Sequence, residues 1–276
     1  MVMTKKPHSL RRQMLTSLRN RRSRPSAGMD NAAKERPGLL VASYNVHKCV
    51  GIDGKFDPER IAHVIREIGP DVIALQEADQ RFGERLGLLD LQRLQGETGL
   101  SRVAVSGLAK SHGWRGNVLL FREGVVRNVH PFVLPGLEPR GAVVAEIELS
   151  GGRELRIIAA HLGLLRWARR QQADFILGLM RERADCPTVL MGDFNEWRVG
   201  PGSALNRLEP MFGPLPPPVP SFPARLPVLA LDRIMTNRPG LIAEMQVHDS
   251  PLARLASDHL PLKAWIDLDK ATMPTA

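Results

Sequence analysis

Polar side chains able to bind metal or phosphate recur where apolar segments of the chain end. The segments and residues are LLVASYN with Asn45, DVIALQE with Glu77, RIIAAH with His161, TVLMGDFN with Asp193 and Asn195, LALD with Asp232, and SDH with Asp258 and His259. Short apolar runs predict buried strands, and in sheet proteins sites assemble at strand ends and in the loops after them. The sequence therefore predicts that these carboxylate, amide and imidazole groups meet in one cleft.

Each of these segments alone also fits a purely structural role. Glu77 is compatible with a surface carboxylate or a helix cap, and His161 with a hydrogen-bonded histidine of the core. GDFN is compatible with an Asx turn, LDR with a local ion pair, and SDH with the end of a loop. The order and shared context of the whole set indicate a site more strongly than any one member does.

The spacing of apolar residues, together with capping and helix-breaking residues, predicts the helices and strands that position these groups. The clearest helix follows Asp57, a favourable N-cap, and has Pro58 at its first position. Apolar residues then recur at i, i+3, i+4 and i+7 from Ile61, and Gly69 stops the helix. Two more helices are predicted, around 86–97 and at 164–183. Strands are predicted at 39–45, 71–77, 102–105, 117–121, 125–133, 142–149, 155–160, 188–193, 228–235, 241–247 and 260–267.

The stretch 213–223, GPLPPPVPSFP, contains too many prolines for a helix or a sheet and is predicted to be a long loop. Many strands interleaved with a few long helices, without an internal repeat, predict one layered α/β domain. We place this domain at 37–270.

The charge of the chain is concentrated in its first residues. The formal net charge is +9, yet residues 1–36 hold ten of the 38 basic residues and two of the 29 acidic ones. The remainder is nearly neutral, so we expect 1–36 to be a flexible basic arm. It could bind anionic lipid or nucleic acid electrostatically, be a solvated extension, or resemble an organelle transit peptide.

Other features exclude several classes of protein. No apolar run approaches the roughly 20 residues that cross a bilayer, so no transmembrane helix is expected. Two cysteines, Cys49 and Cys186, are too few for a disulfide framework and are interpreted as ordinary thiols. We expect a monomeric cytoplasmic protein of bacterial type, with peripheral membrane contact as an option.

The motifs together resemble those of one superfamily. SYNVHKCVGIDG, DVIALQEAD, RGNVLLFR, AAHLGL, MGDFNEW, LDRI and SDHLPL resemble, in order and spacing, the motifs of the endonuclease/exonuclease/phosphatase (deoxyribonuclease I-like) superfamily. The resemblance runs from about 39 to 267, and GDFN followed by SDH is its most specific pair. It implies an α/β (α+β) four-layer sandwich, in which two packed, mostly antiparallel sheets are flanked by helices. It also implies metal-dependent hydrolysis of phosphate esters.

The resemblance further implies a metal site. Asn45, Glu77 and Asp258 would hold Mg²⁺, or alternatively Mn²⁺. The residue types agree, because magnesium takes oxygen ligands and typically uses one or two carboxylates. The ion would neutralise a phosphate oxygen and stabilise charge at the leaving group.

The resemblance gives five residues catalytic roles. Asp193 would orient or deprotonate the attacking water, and Asn195 would hydrogen-bond the phosphate. His259, held by Asp232, would stabilise charge on the phosphoryl group, because a carboxylate partner favours the protonated imidazole. His161 matches the histidine that contacts phosphate or acts as a general acid in the deoxyribonuclease I and sphingomyelinase branches. Whether Asp193 or His161 is the better base stays open.

Further residues are assigned to the surroundings of the cleft. Asn117 is a candidate phosphate contact from the GNVLLFR strand, and Arg140 is either a phosphate contact or a surface arginine. Trp197 is expected to pack beside the site, while His47 and Asp53 are expected at the cleft rim.

One difference from the motifs of a superfamily branch bears on the substrate. The abasic-site endonuclease branch has a tyrosine-containing motif near the position of His161, whereas this chain has HLGL there and Tyr44 as its only tyrosine. The leading hypothesis is therefore a phosphodiesterase acting on a phospholipid headgroup or a nucleic acid. One alternative is a phosphomonoesterase acting on a lipid or small molecule, and another is a catalytically silent binding scaffold. The Pro-rich region 213–229 would suit contact with a membrane.

Overall fold

The structure is a computed structural model that describes residues 38–270 apart from 81–82, 106–109 and 184. The predicted basic arm at 1–36 lies outside the described residues. Within the described part of the chain, no helix combines the length and the apolar character needed to span a membrane.

Eleven strands and five α-helices are present among the described residues. The strands are β1 (Leu39–Asn45), β2 (Val72–Gln76), β3 (Ser101–Arg102), β4 (Val118–Phe121), β5 (Val125–Val133), β6 (Gly141–Glu148), β7 (Glu154–His161), β8 (Thr188–Asp193), β9 (Asp232–Thr236), β10 (Ile242–Val247) and β11 (Leu262–Ile266). The helices are α1 (Pro58–Ile68), α2 (Leu91–Thr98), α3 (Arg166–Arg181), α4 (Glu209–Phe212) and α5 (Pro251–Ala256).

The strands form two mixed sheets, as the predicted sandwich requires. One sheet has the order β10-β11-β1-β2-β4-β3 and the other β5-β6-β7-β8-β9. Each sheet has a single parallel pair, β1 with β2 and β7 with β8, and its other pairs are antiparallel. The predicted mostly antiparallel architecture is therefore confirmed.

Three apolar clusters separate four layers. The central cluster lies between the sheets and includes Val41, Ala74 and Met191. The outer clusters pack α1 on one sheet through Ile61 and α3 on the other through Ile176. Neighbouring residues of a strand point to opposite faces, so each sheet contributes to the central cluster and to one outer cluster.

The first helix forms as its sequence predicts. Asp57 accepts a hydrogen bond from the backbone N–H of Arg60, Pro58 occupies the first helical position, and Gly69 closes the helix with a left-handed φ of 61°. The buried side chains are Ile61, Val64, Ile65 and Ile68. These are the residues of the predicted apolar face.

Three predicted elements are shorter than expected, two of them because loop pairing takes their residues. The helix predicted around 86–97 begins only at Leu91, after the N-cap Asp90, since Leu88 donates to the carbonyl of Ala78 instead. The strand predicted at 228–235 begins at Asp232, because Leu229 pairs with Phe222 of the Pro-rich loop. The strand predicted at 102–105 is reduced to Ser101–Arg102.

The end of β8 passes very close to its parallel neighbour β7. Gly192 is paired with Ala160, and a β-carbon at Gly192 would lie 1.7 Å from the carbonyl oxygen of Ala160. Only glycine allows this approach, which brings Asp193 level with His161 at the ends of the two strands. One glycine thus fixes the spacing of two predicted site residues.

We predict that Gly192→Ala destabilises the protein by roughly 3 kcal/mol, because the backbone of β8 must move away from β7. Urea unfolding measures this change. The matched control is Gly178→Ala in α3, where nothing lies within 4 Å of the added carbon. That control should gain about 0.5–1 kcal/mol, as helical glycines replaced by alanine do. A loss below about 1 kcal/mol for Gly192→Ala would contradict the close approach.

Candidate active site

The site forms at the edge where the two sheets bring the ends of four strands together. Asn45 ends β1 beside Gln76 of β2, and His161 ends β7 beside Asp193 of β8. Asp232, the first residue of β9, is paired with Asp193 from the other side. Parallel strands end at the same edge of a sheet, so each parallel pair delivers two polar residues to this edge.

Asp193 is the central acceptor of the site. Its side chain is 2% exposed, and its Oδ2 accepts a hydrogen bond of 2.9 Å from Nδ2 of Asn45 in the other sheet. Nε2 of His161 and Nε2 of His259 lie 3.4 and 3.8 Å from the same oxygen. Its Oδ1 accepts from the backbone N–H of Asn195 at 2.9 Å, which is the Asx turn that GDFN suggested. The turn and the site are therefore the same feature.

His259 is held by a second buried carboxylate. Its Nδ1 lies 2.9 Å from Oδ2 of Asp232, and the same oxygen accepts from the Ser221 hydroxyl at 2.5 Å. Burial disfavours a charged imidazole, but the charges of Asp232 and Asp193 outweigh it and raise the pKa of His259 to about 10. Phe222 covers the ring with its centroid 4.8 Å away. The imidazole is therefore charged and fixed in orientation at neutral pH.

Asp193, Asp232 and His259 also lie close enough to surround a cation, with one ligand atom of each within 4.8 Å of the others. The positive charge of His259 argues against that use. A protonated imidazole donates from both nitrogens and has no lone pair for a metal. We interpret the trio as an ion-paired acid–base group.

His161 and Arg140 form the opposite wall. Nη1 of Arg140 lies 2.6 Å from Nε2 of His161, and Nη2 donates to Oε2 of Glu138 at 2.8 Å. Nη1 also lies 3.0 Å from Nδ1 of that ring, so its shorter contact is with Nε2. Nδ2 of Asn195 lies 3.3 Å from the same nitrogen and donates to the carbonyl of Leu162 at 3.0 Å.

A buried ion pair fixes the loop that carries Asn195. Glu196 is fully buried and pairs with Arg169 of α3 at 3.2 Å. The same carboxylate accepts from the backbone N–H groups of Arg198 and Ala204 at 3.1 and 3.0 Å. This clamp attaches the segment after β8 to the outer helix, so the side chain of Asn195 has a rigid base.

Glu77 and Asp258 lie beside the 3-10 turn His47–Cys49 that follows β1. Nζ of Lys48 lies 3.3 Å from Oε2 of Glu77, and Nδ1 of His47 lies 3.8 Å from Oδ1 of Asp258. Ser257 donates to the carbonyl of Asn45 at 2.7 Å, which places the SDH segment against the end of β1. The three residues predicted to hold metal therefore lie on adjoining segments.

Comparison with known proteins agrees with this arrangement. Residues 42–259 match the model of the Endonuclease/Exonuclease/phosphatase family. The chain belongs to this family. The family consists of hydrolases of phosphate esters. A comparison with curated proteins finds no match.

Solved structures show the same fold at low sequence identity. An endonuclease/exonuclease/phosphatase from Beutenbergia cavernae is 23% identical, with a TM-score of 0.62 over 83% of this chain and 71% of that one. A family protein from Bacteroides thetaiotaomicron is 17% identical, with a TM-score of 0.65 over 86% and 98%. A mannosyl-6-phosphatase from the same species is 17% identical, with a TM-score of 0.58 over 82% and 98%.

The remaining predicted residues of this endonuclease/exonuclease/phosphatase site are held by contacts of different kinds. Asn117 is buried and donates through Nδ2 to the carbonyls of Trp114 and Gly141, both at 3.1 Å. It bridges the two sheets, and a phosphate contact would require it to release one of these partners. Trp197 carries the guanidinium of Arg198 4.6 Å above its ring, and Asp53 pairs with Arg60.

Several residues of the site were not predicted from the sequence. They are Lys48, Glu138, Ser221 and Phe222, each in contact with a predicted residue, and Glu196, which fixes the loop that carries Asn195. Lys48 and Glu196 lie within the segments SYNVHKCVGIDG and MGDFNEW, so their position beside predicted site residues could have indicated them. Ser221 lies in the Pro-rich loop, where no local pattern indicates a site.

We predict that Asp232→Asn destabilises the protein most at low pH. The stability contributed by the charge on His259 is fully present below its unfolded pKa of about 6.5. It is lost as the pH rises through the folded pKa of about 10. The loss should reach roughly 3–5 kcal/mol near pH 6, because a buried charge loses its partner, and shrink toward pH 10.

Urea unfolding across this pH range, in buffer containing EDTA, measures the difference. Asp174→Asn is the matched control, because Asp174 and its partner Arg207 are both exposed. It should change stability by less than about 1 kcal/mol at every pH. An Asp232→Asn loss that stays constant from pH 6 to pH 10 would show that His259 carries no extra charge in the folded state.

Proposed function

We propose that the protein is a divalent-metal-dependent phosphodiesterase. The observation that supports this most directly is the pairing of a charged His259 with the buried Asp193 carboxylate, whose Oδ2 lies 3.8 Å from Nε2. The carboxylate can take a proton from water, and the imidazolium can stabilise negative charge on a phosphoryl group. Hydrolysis of a phosphate ester needs both groups beside the same phosphorus.

A divalent cation fits the neighbouring residues. Oε2 of Glu77 is buried and has no hydrogen-bond partner, although Lys48 lies near it. The ammonium of Lys48 is the cation that compensates this oxygen, and a divalent ion bound there would take its place. Asn45, Glu77 and Asp258 offer oxygen ligands, which Mg²⁺ prefers and Mn²⁺ accepts. When bound there, the ion would neutralise a phosphate oxygen and stabilise charge at the leaving group.

The side chains of the chain itself supply the rest of the reaction. Asp193 orients the attacking water through Oδ2 and accepts its proton, while Asn45 holds that oxygen in place. His259, kept charged by Asp232, stabilises the negative charge that develops on the phosphoryl group. Asn195 would donate to the phosphate through Nδ2, in place of its contact with His161.

We assign His161 and Arg140, on the other wall of the cleft, to the phosphate and the leaving group. His161 and Arg140 lie in contact there, and Arg140 presents its guanidinium as a phosphate contact. Nε2 of His161 is already in contact with Arg140 and Asn195, at 2.6 and 3.3 Å. We therefore assign the role of base to Asp193.

The rim of the cleft favours a phospholipid headgroup over a nucleic acid. Leu137 and Leu164 are 82% and 64% exposed. They flank Glu138, whose Oε1 accepts from the backbone N–H of Leu164 at 2.6 Å and whose Oε2 holds Arg140. Exposed leucines beside a cationic cleft suit a headgroup in an interface, where apolar side chains enter the acyl boundary. The basic arm predicted at 1–36 would attract the same anionic surface.

A phosphomonoesterase is the second candidate. It is favoured by the similarity to a structure described as a mannosyl-6-phosphatase. The same residues would serve a monoester, because the phosphoryl group and the attacking water are unchanged. A silent binding scaffold is the third alternative, and it predicts neither metal binding nor turnover.

We predict that Mg²⁺-dependent hydrolysis falls roughly 10²–10³-fold in His259→Ala, because a group that stabilises charge in the transition state is removed. Substrates tested in parallel are supercoiled plasmid, vesicles of sphingomyelin or phosphatidylinositol phosphate, and mannose 6-phosphate. His63→Ala is the matched control, since His63 is an exposed residue of α1. Cleavage of vesicles supports the lipid substrate, and cleavage of mannose 6-phosphate alone selects the monoesterase. Undiminished turnover in His259→Ala would refute the proposed mechanism.

We predict opposite effects on Mg²⁺ affinity at two neighbouring residues, measured by calorimetry. Glu77→Gln should weaken binding roughly tenfold or more, since a difference of about 1.4 kcal/mol already gives tenfold. Lys48→Ala should strengthen it up to about fivefold, because it removes a competing cation from a partly exposed pair worth about 1 kcal/mol at most. Glu182→Gln, at an exposed residue, is the control. Equal affinities in all four proteins would place the ion elsewhere.

A further inference from the structure

The cleft beside the site contains more positive charge than the proposed mechanism uses. Glu77 and His161 lie in its wall, and it is lined by four cations, Lys48, Arg85, Arg115 and Arg140. Lys48 faces Glu77, and Arg140 is bound to Glu138 and His161. Two cations of the cleft, Arg85 and Arg115, remain to be explained.

Arg115 is presented to the cleft by a tight hairpin turn. Trp114 and Asn117 exchange both backbone hydrogen bonds, at 2.8 and 2.9 Å, with Arg115 and Gly116 as the two turn residues. Both have a positive φ, 49° for Arg115 and 84° for Gly116, which is the type I′ conformation that favours asparagine, aspartate and glycine. An arginine at the first turn position is held there against its backbone preference.

The same turn is fixed directly to a proposed metal ligand. The carbonyl of Gly116 accepts from the backbone N–H of Ala78 at 3.1 Å, and a β-carbon at Gly116 would lie 3.4 Å from Cα of Glu77. The position of Arg115 is therefore set relative to Glu77 by backbone contacts rather than by a flexible loop.

Arg85 approaches from a second loop, which is closed by a hydrogen bond of 2.9 Å from the N–H of Gln80 to the carbonyl of Leu86. Its φ of 51° is also left-handed. Arg85 and Arg115 line the same cleft, and the pKa of Arg115 is lowered by burial and further by the charge of Arg85. Among the described residues, neither side chain forms an ion pair or a hydrogen bond, and the guanidinium of Arg115 lies 5.8 Å from the centre of the Trp114 ring.

Two adjacent guanidinium groups without acceptors repel each other and weaken the folded state unless an anion joins them. Guanidinium forks match the oxygens of phosphate, which they bind in a bidentate manner. We propose that Arg85 and Arg115 form a second anion subsite, which takes a further phosphate group next to the scissile one. This inference rests on the proposed function and narrows the substrate to a phosphate ester with two neighbouring phosphates.

Two sources can supply that chemistry, a phosphorylated lipid headgroup and the adjacent phosphate of a polynucleotide. Calorimetry on the full chain at fixed free Mg²⁺ distinguishes them with two matched ligand pairs. One pair is inositol bisphosphate with inositol monophosphate, and the other is thymidine bisphosphate with thymidine monophosphate. The wild type should bind the bisphosphate of at least one pair about tenfold or more tightly than its monophosphate, because two charge-assisted contacts are added.

The variant Arg85→Asn with Arg115→Asn removes the charges and keeps residues that tolerate a left-handed φ. Its affinities for the bisphosphate and the monophosphate of each pair should differ by about threefold or less. The control is Arg170→Ala with Arg181→Ala, two exposed arginines of α3 that lie outside the lining of the cleft. This control removes the same charge and should keep the preference for the bisphosphate.

The results separate the subsite from the proposed function. A wild type without the preference, or an Arg85→Asn, Arg115→Asn double variant that retains it, would overturn the subsite. Loss of the preference in the control variant as well would also overturn it, since long-range charge would then explain the binding. If His259→Ala turns over like the wild type while the preference depends on Arg85 and Arg115, the proposed mechanism fails and the subsite stands.

Discussion

The site depends on one hydrogen bond between the two sheets, from Asn45 at the end of β1 to Asp193 at the end of β8. It is buried and joins residues far apart in sequence. The contact is possible only because the central apolar cluster sets the separation of the sheets and Gly192 lets β8 lie close against β7. The pairing of His259 with Asp232 crosses the same junction. Packing of the two sheets therefore also aligns the groups that we propose to be catalytic.

Charge is divided across this junction in a way that suits an anionic substrate. The two buried carboxylates, Asp193 and Asp232, share the charged His259 and donors from neutral groups. Glu77 lies on the cleft side with a buried oxygen that accepts no hydrogen bond. The low local dielectric strengthens each of these interactions, so an uncompensated charge there has a larger effect than it would on the surface. A divalent cation at Glu77 would balance the negative charge of the carboxylates. A phosphate near Arg85 and Arg115 would balance the positive charge of the cleft.

Local pattern was sufficient to predict the strand ends and the best-capped helix, and the family resemblance supplied the order of the site. The cap and apolar face of α1 were visible because they lie within one short segment. The contacts of Ser221 and Glu196 were not, since their partners are distant and no periodicity encodes them. The helix α5 was also missed, although Ser250 followed by proline is a recognisable start. Local rules thus predict where polar residues leave the sheet, and long-range pairing decides what holds them.

Backbone strain shows where the fold departs from what stability alone would select. The non-glycine residues with a positive φ in the described part of the chain are His47, Lys48, Cys49, Glu77, Arg85, Arg115 and Asn195. Each lines the cleft or lies on a segment that carries a proposed site residue. Such conformations cost roughly 1–3 kcal/mol each and persist only when the surroundings enforce them. The surroundings here are well-packed sheets and the Glu196 clamp, so the stable parts of the fold hold a strained cleft in one geometry.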